Sequence, residues 1–307
     1  MRFSSFQKFF EETIHFLSKR GQSLVIFVPY LWLLLFFMAP FFIILKMSFA
    51  ELAVQVPPFK ALCQIVDDHI LSIHLNLGNY LRLFTDSIYI EAFLNSLHVA
   101  FLATLISLLI GYPMAYAITR ATPAWQMSLI MMVMLPFWTS FLIRIYAWIG
   151  MLGKHGIFNN FLMWLGLIEE PLKLLHTDWA VCLGLVYSYL PFMILPIYAL
   201  LEKIDPALLE AASDLGCRPL KSFIKVTLPL TWSGIVAGSM LVFIPAVGEF
   251  VIPELLGGPD TLMIGRVIWH EFFINRDWPV ASAIAILLTV ILVLPFMLFQ
   301  KLRSLGR

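Results

Sequence analysis

Six long apolar stretches, at roughly 23–47, 94–119, 127–152, 179–201, 230–255 and 280–300, recur along this 307-residue chain. A helix needs about 20 apolar residues to cross a bilayer. The pattern therefore predicts an all-α integral membrane protein with six transmembrane helices. Residues 1–22 are patterned differently. Phe6, Phe10, Ile14 and Leu17 recur at helical spacing opposite Lys8, Glu11, Glu12 and Lys19, and Ser4 with Gln7 fits a capping box. A helix lying on the membrane surface is expected there. Behind Lys19-Arg20, the run from Leu24 to Leu45 is too long for the apolar core of a secretory signal, so 23–47 reads as a retained span. In segment 48–93, Pro57-Pro58, Asp67-Asp68 and Asn76-Leu77-Gly78-Asn79 predict turns joined by short helical pieces, not a separate domain. Within 154–178, Ile157, Phe158, Phe161, Leu162 and Leu165 predict a short interfacial helix.

Composition sharpens the picture. Hydrophobic residues make up 61% of the chain and charged ones 13%, with a mean hydropathy of +0.89. That is far from a soluble domain. A net charge of +1 implies no nucleic acid or other polyanion as partner. Cys63, Cys182 and Cys217 are scattered, which argues against a disulfide framework or a zinc site. Lys/Arg bias sets orientation. With the N-terminus inside, the cytoplasmic side holds Arg2, Lys8, Lys19, Arg20, Arg120, Lys203, Arg218, Lys221, Lys225, Lys301, Arg303 and Arg307. The outer side then holds only Lys60, Arg82, Lys154, Lys173, Arg266 and Arg276. Both termini are therefore expected in the cytoplasm. No GxxxxGK[ST], HExxH or GxSxG occurs, and the histidines form no paired cluster. The chain is expected to be no enzyme and to hold no cofactor or metal of its own.

Between the fourth and fifth stretches lies a polar island, 202–229. Asp205 suits an N-cap and Pro206 the first helical position, which predicts a helix through Leu208, Leu209, Ala211 and Ala212. Gly216 can take the left-handed conformation that ends it. Pro219 permits a second start with Phe223 and Val226 on one face, and Pro229 is expected to close the segment before the next span. By themselves these features describe a compact connector. The run Glu210-Ala211-Ala212 followed by Gly216, Phe223, Val226, Leu228 and Pro229 resembles the EAA motif of binding-protein-dependent ABC importer permeases. The resemblance implies a type I importer transmembrane domain (MetI-like) over 94–300, with a tail at 301–307. It also implies that Glu210, Ala211, Ala212, Gly216, Phe223, Leu228 and Pro229 couple the chain to an ATPase subunit.

Two spans carry chemistry. In the third, Trp138, Ser140, Phe141, Arg144, Tyr146 and Trp148 crowd one short run beside Pro136, and at helical spacing Phe137, Ser140/Phe141, Arg144 and Ala147/Trp148 share one face. An arginine facing lipid costs about 2.5–3.5 kcal/mol by insertion scales, so Arg144 should face protein or water. In the fifth, Gly234 and Gly238 have the spacing for close helix contact. Pro245 removes a backbone donor from the carbonyl of Leu241. Glu249 follows one turn later, on the face of Pro245 and Leu241/Val242, with Glu254 and Asp260 nearer the outer mouth. A carboxylate beside a broken helix suits a cationic amine in a partly dehydrated passage. A Glu249–Arg144 lock without substrate contact stands equally open. Glu254 and Asp260 read as path residues or as a solvated turn.

The strings WTSFLIRIYAW, VYSYLPFMILPIYALLEKID, SMLVFIPAVGEFVIPELLGGPDTLMIGRVIWHEFF and NRDWPVASAIA resemble permease subunits of bacterial putrescine/polyamine ABC importers. That resemblance covers about residues 20–300. It implies a heterodimer with a second permease, two copies of an ATPase that bind ATP and Mg, a periplasmic polyamine-binding protein and residence in the inner membrane. Rival readings are an importer of the same build for another solute, such as an amino acid, and a non-transport scaffold or channel subunit.

Overall fold

The computed structural model describes residues 25–60, 62–66, 70–73, 75–259 and 261–305, so the predicted surface helix within 1–22 lies outside the described residues. Its elements in chain order are α1 (Val25–Ser48), β1 (Cys63–Val66), β2 (Ile70–Ile73), α2 (Gly78–Thr85), α3 (Ser87–Arg120) and α4 (Pro123–Met134). A 3₁₀ turn, Leu135–Trp138, follows α4. Next come α5 (Phe141–Leu152), α6 (Ile157–Trp164), α7 (Asp178–Leu201), α8 (Pro206–Asp214), α9 (Pro219–Val247), α10 (Val251–Leu256), α11 (Ile264–Trp269) and α12 (Trp278–Leu305). Contacts divide the chain into two compact units, residues 1–81 with 276–290 and residues 82–275 with 291–307.

In the first unit, α1 is apolar all round, with Phe27, Trp32 and Phe37 each about 60% exposed. A helix without a polar face belongs in lipid. Its C-terminal end is tied down by a buried Asn79, whose side-chain amide donates to the carbonyls of Ser48 and Ala50, each at 2.9 Å. The Tyr80 hydroxyl donates to Ser48 Oγ at 2.8 Å. The segment expected to contain only turns and helical pieces also folds β1 and β2 into an antiparallel hairpin, Cys63 pairing with Ile73 and Val66 with Ile70. β-branched residues on both sides of Asp67-Asp68 favour strands there over helix.

In the second unit, α3, α7 and α9 pack on one another around Tyr112, Ala115, Met193, Ile194, Ile197, Ile235 and Val242. The two glycines of α9 are what allow the approach. A Cβ on Gly234 would stand 2.8 Å from the carbonyl oxygen of Pro196, and one on Gly238 would stand 3.0 Å from that of Met193. The predicted close contact is present, with α7 as its partner.

Four or five of the six predicted spans are found. Among the described residues, α1, α3, α7 and α9 are long and apolar enough to cross a membrane. A fifth span results if the helices around residues 138–141 count as one, although they bend by 90°. α12, at the place of the sixth predicted span, runs over Trp278–Leu305 and is apolar through residues 278–294. The third stretch, 127–152, is therefore no straight helix. Pro136 sits in a tight 3₁₀ turn, and Thr139 and Ser140 take extended backbone before α5 begins. The fifth is also displaced: α9 starts at Pro219 and stops at Val247, and α10 forms separately. α6 forms where a short helix was foreseen, and Gly166, two residues past its end, takes a φ of 69°.

Candidate functional site

Two places in the second unit carry the predicted residues. The first is the polar elbow. The Asp205 carboxylate accepts from the Ala207 amide at 2.9 Å, capping α8 as its sequence requires. Gly216 adopts a φ of 76°, and the amide of Cys217 reaches back to the carbonyl of Ala212 at 3.0 Å. This left-handed residue with its backward hydrogen bond fixes the turn without a flexible linker. Ala212 is buried, while Glu210 and Ala211 face outward. Leu215 and Leu220 are 85% and 71% exposed, and Leu208 is also exposed.

Pro229 does not close the segment. The second helix of the elbow runs straight into the span: Pro219–Ser222 is α-helical, Phe223–Thr227 forms a π-turn, and the α-helix resumes at Leu228. Pro229 lies at the start of that resumed stretch, where the wider π-turn tolerates its missing donor. Elbow and span are thus one helix, α9. Phe223 meets Tyr112 edge-on at 5.5 Å and Tyr116 at 5.9 Å, both on α3. Tyr112 is held in turn by a 3.0 Å hydrogen bond with Thr231 Oγ1. Leu228 packs against the same core.

The second place surrounds Glu249. The residue is not on the face of Pro245. α9 carries on past Pro245 for two residues and ends at Val247, with Gly248 as its C-cap, so Glu249 falls in the break before α10. There its Oε1 accepts from the Val251 amide at 3.1 Å and its Oε2 accepts from the Tyr189 hydroxyl at 2.5 Å. Tyr189, on α7, lies 6.3 Å from Phe192, and Phe192 meets Phe137 edge-on at 5.3 Å. Arg144 completes the row: its Cζ is 5.3 Å from the centre of the Phe137 ring and 5.6 Å from that of Phe141. Carboxylate and guanidinium are therefore linked through three rings instead of to each other. Glu249 bonds to Tyr189 and Val251, while Arg144 Nε and Nη1 are buried with no hydrogen-bond partner among the described residues.

The remaining candidates lie elsewhere. Trp138, Ser140 and Tyr146 are exposed, Trp138 at 82%. Trp148 packs on Tyr187 and Phe158. Glu254 is ion-paired with Arg266 at 2.6 Å, with His270 Nε2 3.6 Å away, so it is no simple solvated turn. Asp260 lies outside the described residues. Sequence reasoning missed Tyr189 and Phe192, and it placed Phe137 on the face of Arg144 without naming it a path residue. Tyr189 is one of three consecutive hydroxyl-bearing residues, with Tyr187 and Ser188, in an apolar run, and nothing in its spacing sets it apart. A cavity of about 300 Å³ lined by Ile106, Ile110, Trp179, Cys182, Leu183 and Val186 holds none of the predicted residues.

A multi-pass helical unit with a stiff polar elbow and a carboxylate at a broken span defines a membrane permease. The chain belongs to the family of binding-protein-dependent transport system inner membrane components, whose family model matches residues 124–302. It is similar to the spermidine/putrescine transport system permease protein PotB of Haemophilus influenzae, 39% identical over 289 residues that span 94% of this chain and 96% of that one. Its fold resembles a chain of the crystal structure of a bacterial ABC transporter involved in the import of the acidic polysaccharide alginate. The TM-score is 0.70 at 19% identity, covering 96% of this chain and 100% of the other. A second alginate transporter structure, in complex with an alginate pentasaccharide-bound periplasmic protein, matches with a TM-score of 0.67 at 20% identity, covering 91% of this chain and 92% of the other.

Proposed function

We propose that this chain is the translocation subunit of an ATP-driven importer that carries putrescine or a related polyamine across the bacterial inner membrane by alternating access. The observation that carries this reading is the Glu249 carboxylate, presented in the gap between α9 and α10 beside Tyr189 and the rings of Phe192 and Phe137. A carboxylate next to aromatic faces is the chemistry that attracts an alkylammonium group. An anionic polysaccharide would be repelled by it, which separates this path from that of the alginate transporters. The 39% likeness to a spermidine/putrescine permease supports the same substrate class.

In this reading the exposed Leu208, Leu215 and Leu220 of the elbow seat in a partner ATPase, which binds ATP and Mg and performs the hydrolysis. Glu210, Ala211, Ala212 and Gly216 shape that knob, and continuity of the elbow with α9 makes it a lever. A second, similar permease completes the pore, and a periplasmic binding protein delivers the amine. Both termini and the elbow face the cytoplasm. Residues 94–300 form the ABC type-1 transmembrane domain.

The test is uptake of labelled putrescine by cells expressing the complete complex as their sole polyamine importer. Glu249→Gln should lower uptake at least about tenfold while assembly is retained, because an amide replaces the charge that meets the ammonium. Unchanged uptake in that variant would remove Glu249 from the path.

A further inference from the structure

Arg144 occupies ring faces that a transported amine would itself need. Its Cζ lies within reach of both Phe137 and Phe141, at 5.3 and 5.6 Å. Two of its nitrogens, Nε and Nη1, are shielded from solvent yet have no acceptor among the described residues. Those two nitrogens have shed water without gaining hydrogen bonds, and the faces of Phe137 and Phe141 supply an attraction for the guanidinium in their place. Phe137 also touches Phe192, and through Tyr189 the row ends on Glu249. The carboxylate in turn bonds to a neutral hydroxyl and a backbone amide. One end of the row thus holds a resident cation, and the other an anion not paired with it.

We infer that Arg144 is a tethered competitor for the cation site. Its guanidinium rests on the Phe137 face while the path is empty. An incoming ammonium group displaces it and takes the ring face at one end of the substrate and Glu249 at the other. The inference rests on the reading of this row as an amine path. Its consequence is a site kept weak on purpose, since a conduit must release what it binds. If the rings hold Arg144 in about four of every five molecules, apparent amine affinity falls about fivefold.

Equilibrium binding of radiolabelled putrescine to the assembled membrane complex in lipid nanodiscs, with no binding protein added, tests this. Arg144→Met, which keeps the length and loses the charge, should bind about fivefold more tightly than wild type. Arg144→Lys, which retains a cation, should stay within about twofold. In Arg144→Ala, added n-propylguanidinium should compete with putrescine. Unchanged or weaker binding by Arg144→Met overturns the inference, as does the absence of binding in every form of a complex whose wild type still imports putrescine. Should Arg144→Met fail to assemble, Arg144→Gln decides: it also loses the charge, so putrescine must bind at least about threefold more tightly than to wild type, and equal or weaker binding overturns the inference. A wild-type complex that imports no polyamine overturns instead the reading on which it rests.

Discussion

Phe223 is where the elbow grips the transmembrane core, and replacing it by alanine should disconnect nucleotide hydrolysis from transport. The ring stands almost perpendicular to both Tyr112 and Tyr116, at 88° and 89°. Each edge-on pair contributes about 0.5–1.5 kcal/mol beyond area burial. Losing both removes about 1–3 kcal/mol from the contact between α9 and α3, before any cavity cost. If that contact couples the two sites, its loss corresponds to a roughly 5- to 150-fold fall in coupling. The assay is paired: putrescine uptake and phosphate release measured on the same vesicles containing the purified complex. In Phe223→Ala, ATP turnover should persist while amine imported per ATP falls at least about fivefold. Phe223→Tyr keeps the ring and should behave nearly as wild type. An unchanged ratio in an intact Phe223→Ala complex would refute the reasoning. So would a proportional loss of both activities, which would indicate a damaged assembly and not a slipped lever.

The helix approach in the core predicts a contrast between two glycines. Gly238→Val places its Cβ 3.0 Å from a backbone oxygen of Met193, which cannot swing aside, so overpacking should cost about 1–3 kcal/mol and lower the Tm of the detergent-solubilised complex by several degrees. Gly150→Ala meets nothing within 4 Å inside α5 and should leave the Tm unchanged or raise it slightly, through about 0.5–1 kcal/mol of helix propensity; a Tm loss equal to that of Gly238→Val would contradict the packing described.

Local rules with few competitors were legible along the chain. Asp205-Pro206 starts a helix and Gly216 ends one because capping and a positive φ depend on adjacent residues alone. Gly234 and Gly238 announced a close crossing, since spacing on one helix decides which face is bare. Hydropathy was blunter. It treated 127–152 and 230–255 as continuous spans because a window of apolar residues does not register a break of two or three residues. Thr139-Ser140 and Gly248-Glu249 end helices through backbone conformation while apolar residues continue on both sides. That error also moved Glu249 onto a helix face it does not share. Tyr189 and Phe192 were hidden for a different reason. An aromatic in a membrane helix is ordinary in composition, and only the folded arrangement of α7 beside the turn before α5 reveals that three of them join a carboxylate to an arginine. Pro229, conversely, promised a boundary that the π-turn at Phe223–Thr227 absorbed.

Sealed vesicles containing the complete complex and its binding protein, with labelled putrescine outside and ATP either enclosed or omitted, address the central claim most directly. Accumulation above the equilibrium level in the ATP-loaded vesicles and none in the others is the predicted result. Equal accumulation with and without ATP would mean that the amine crosses without being driven through the elbow, and would contradict the account.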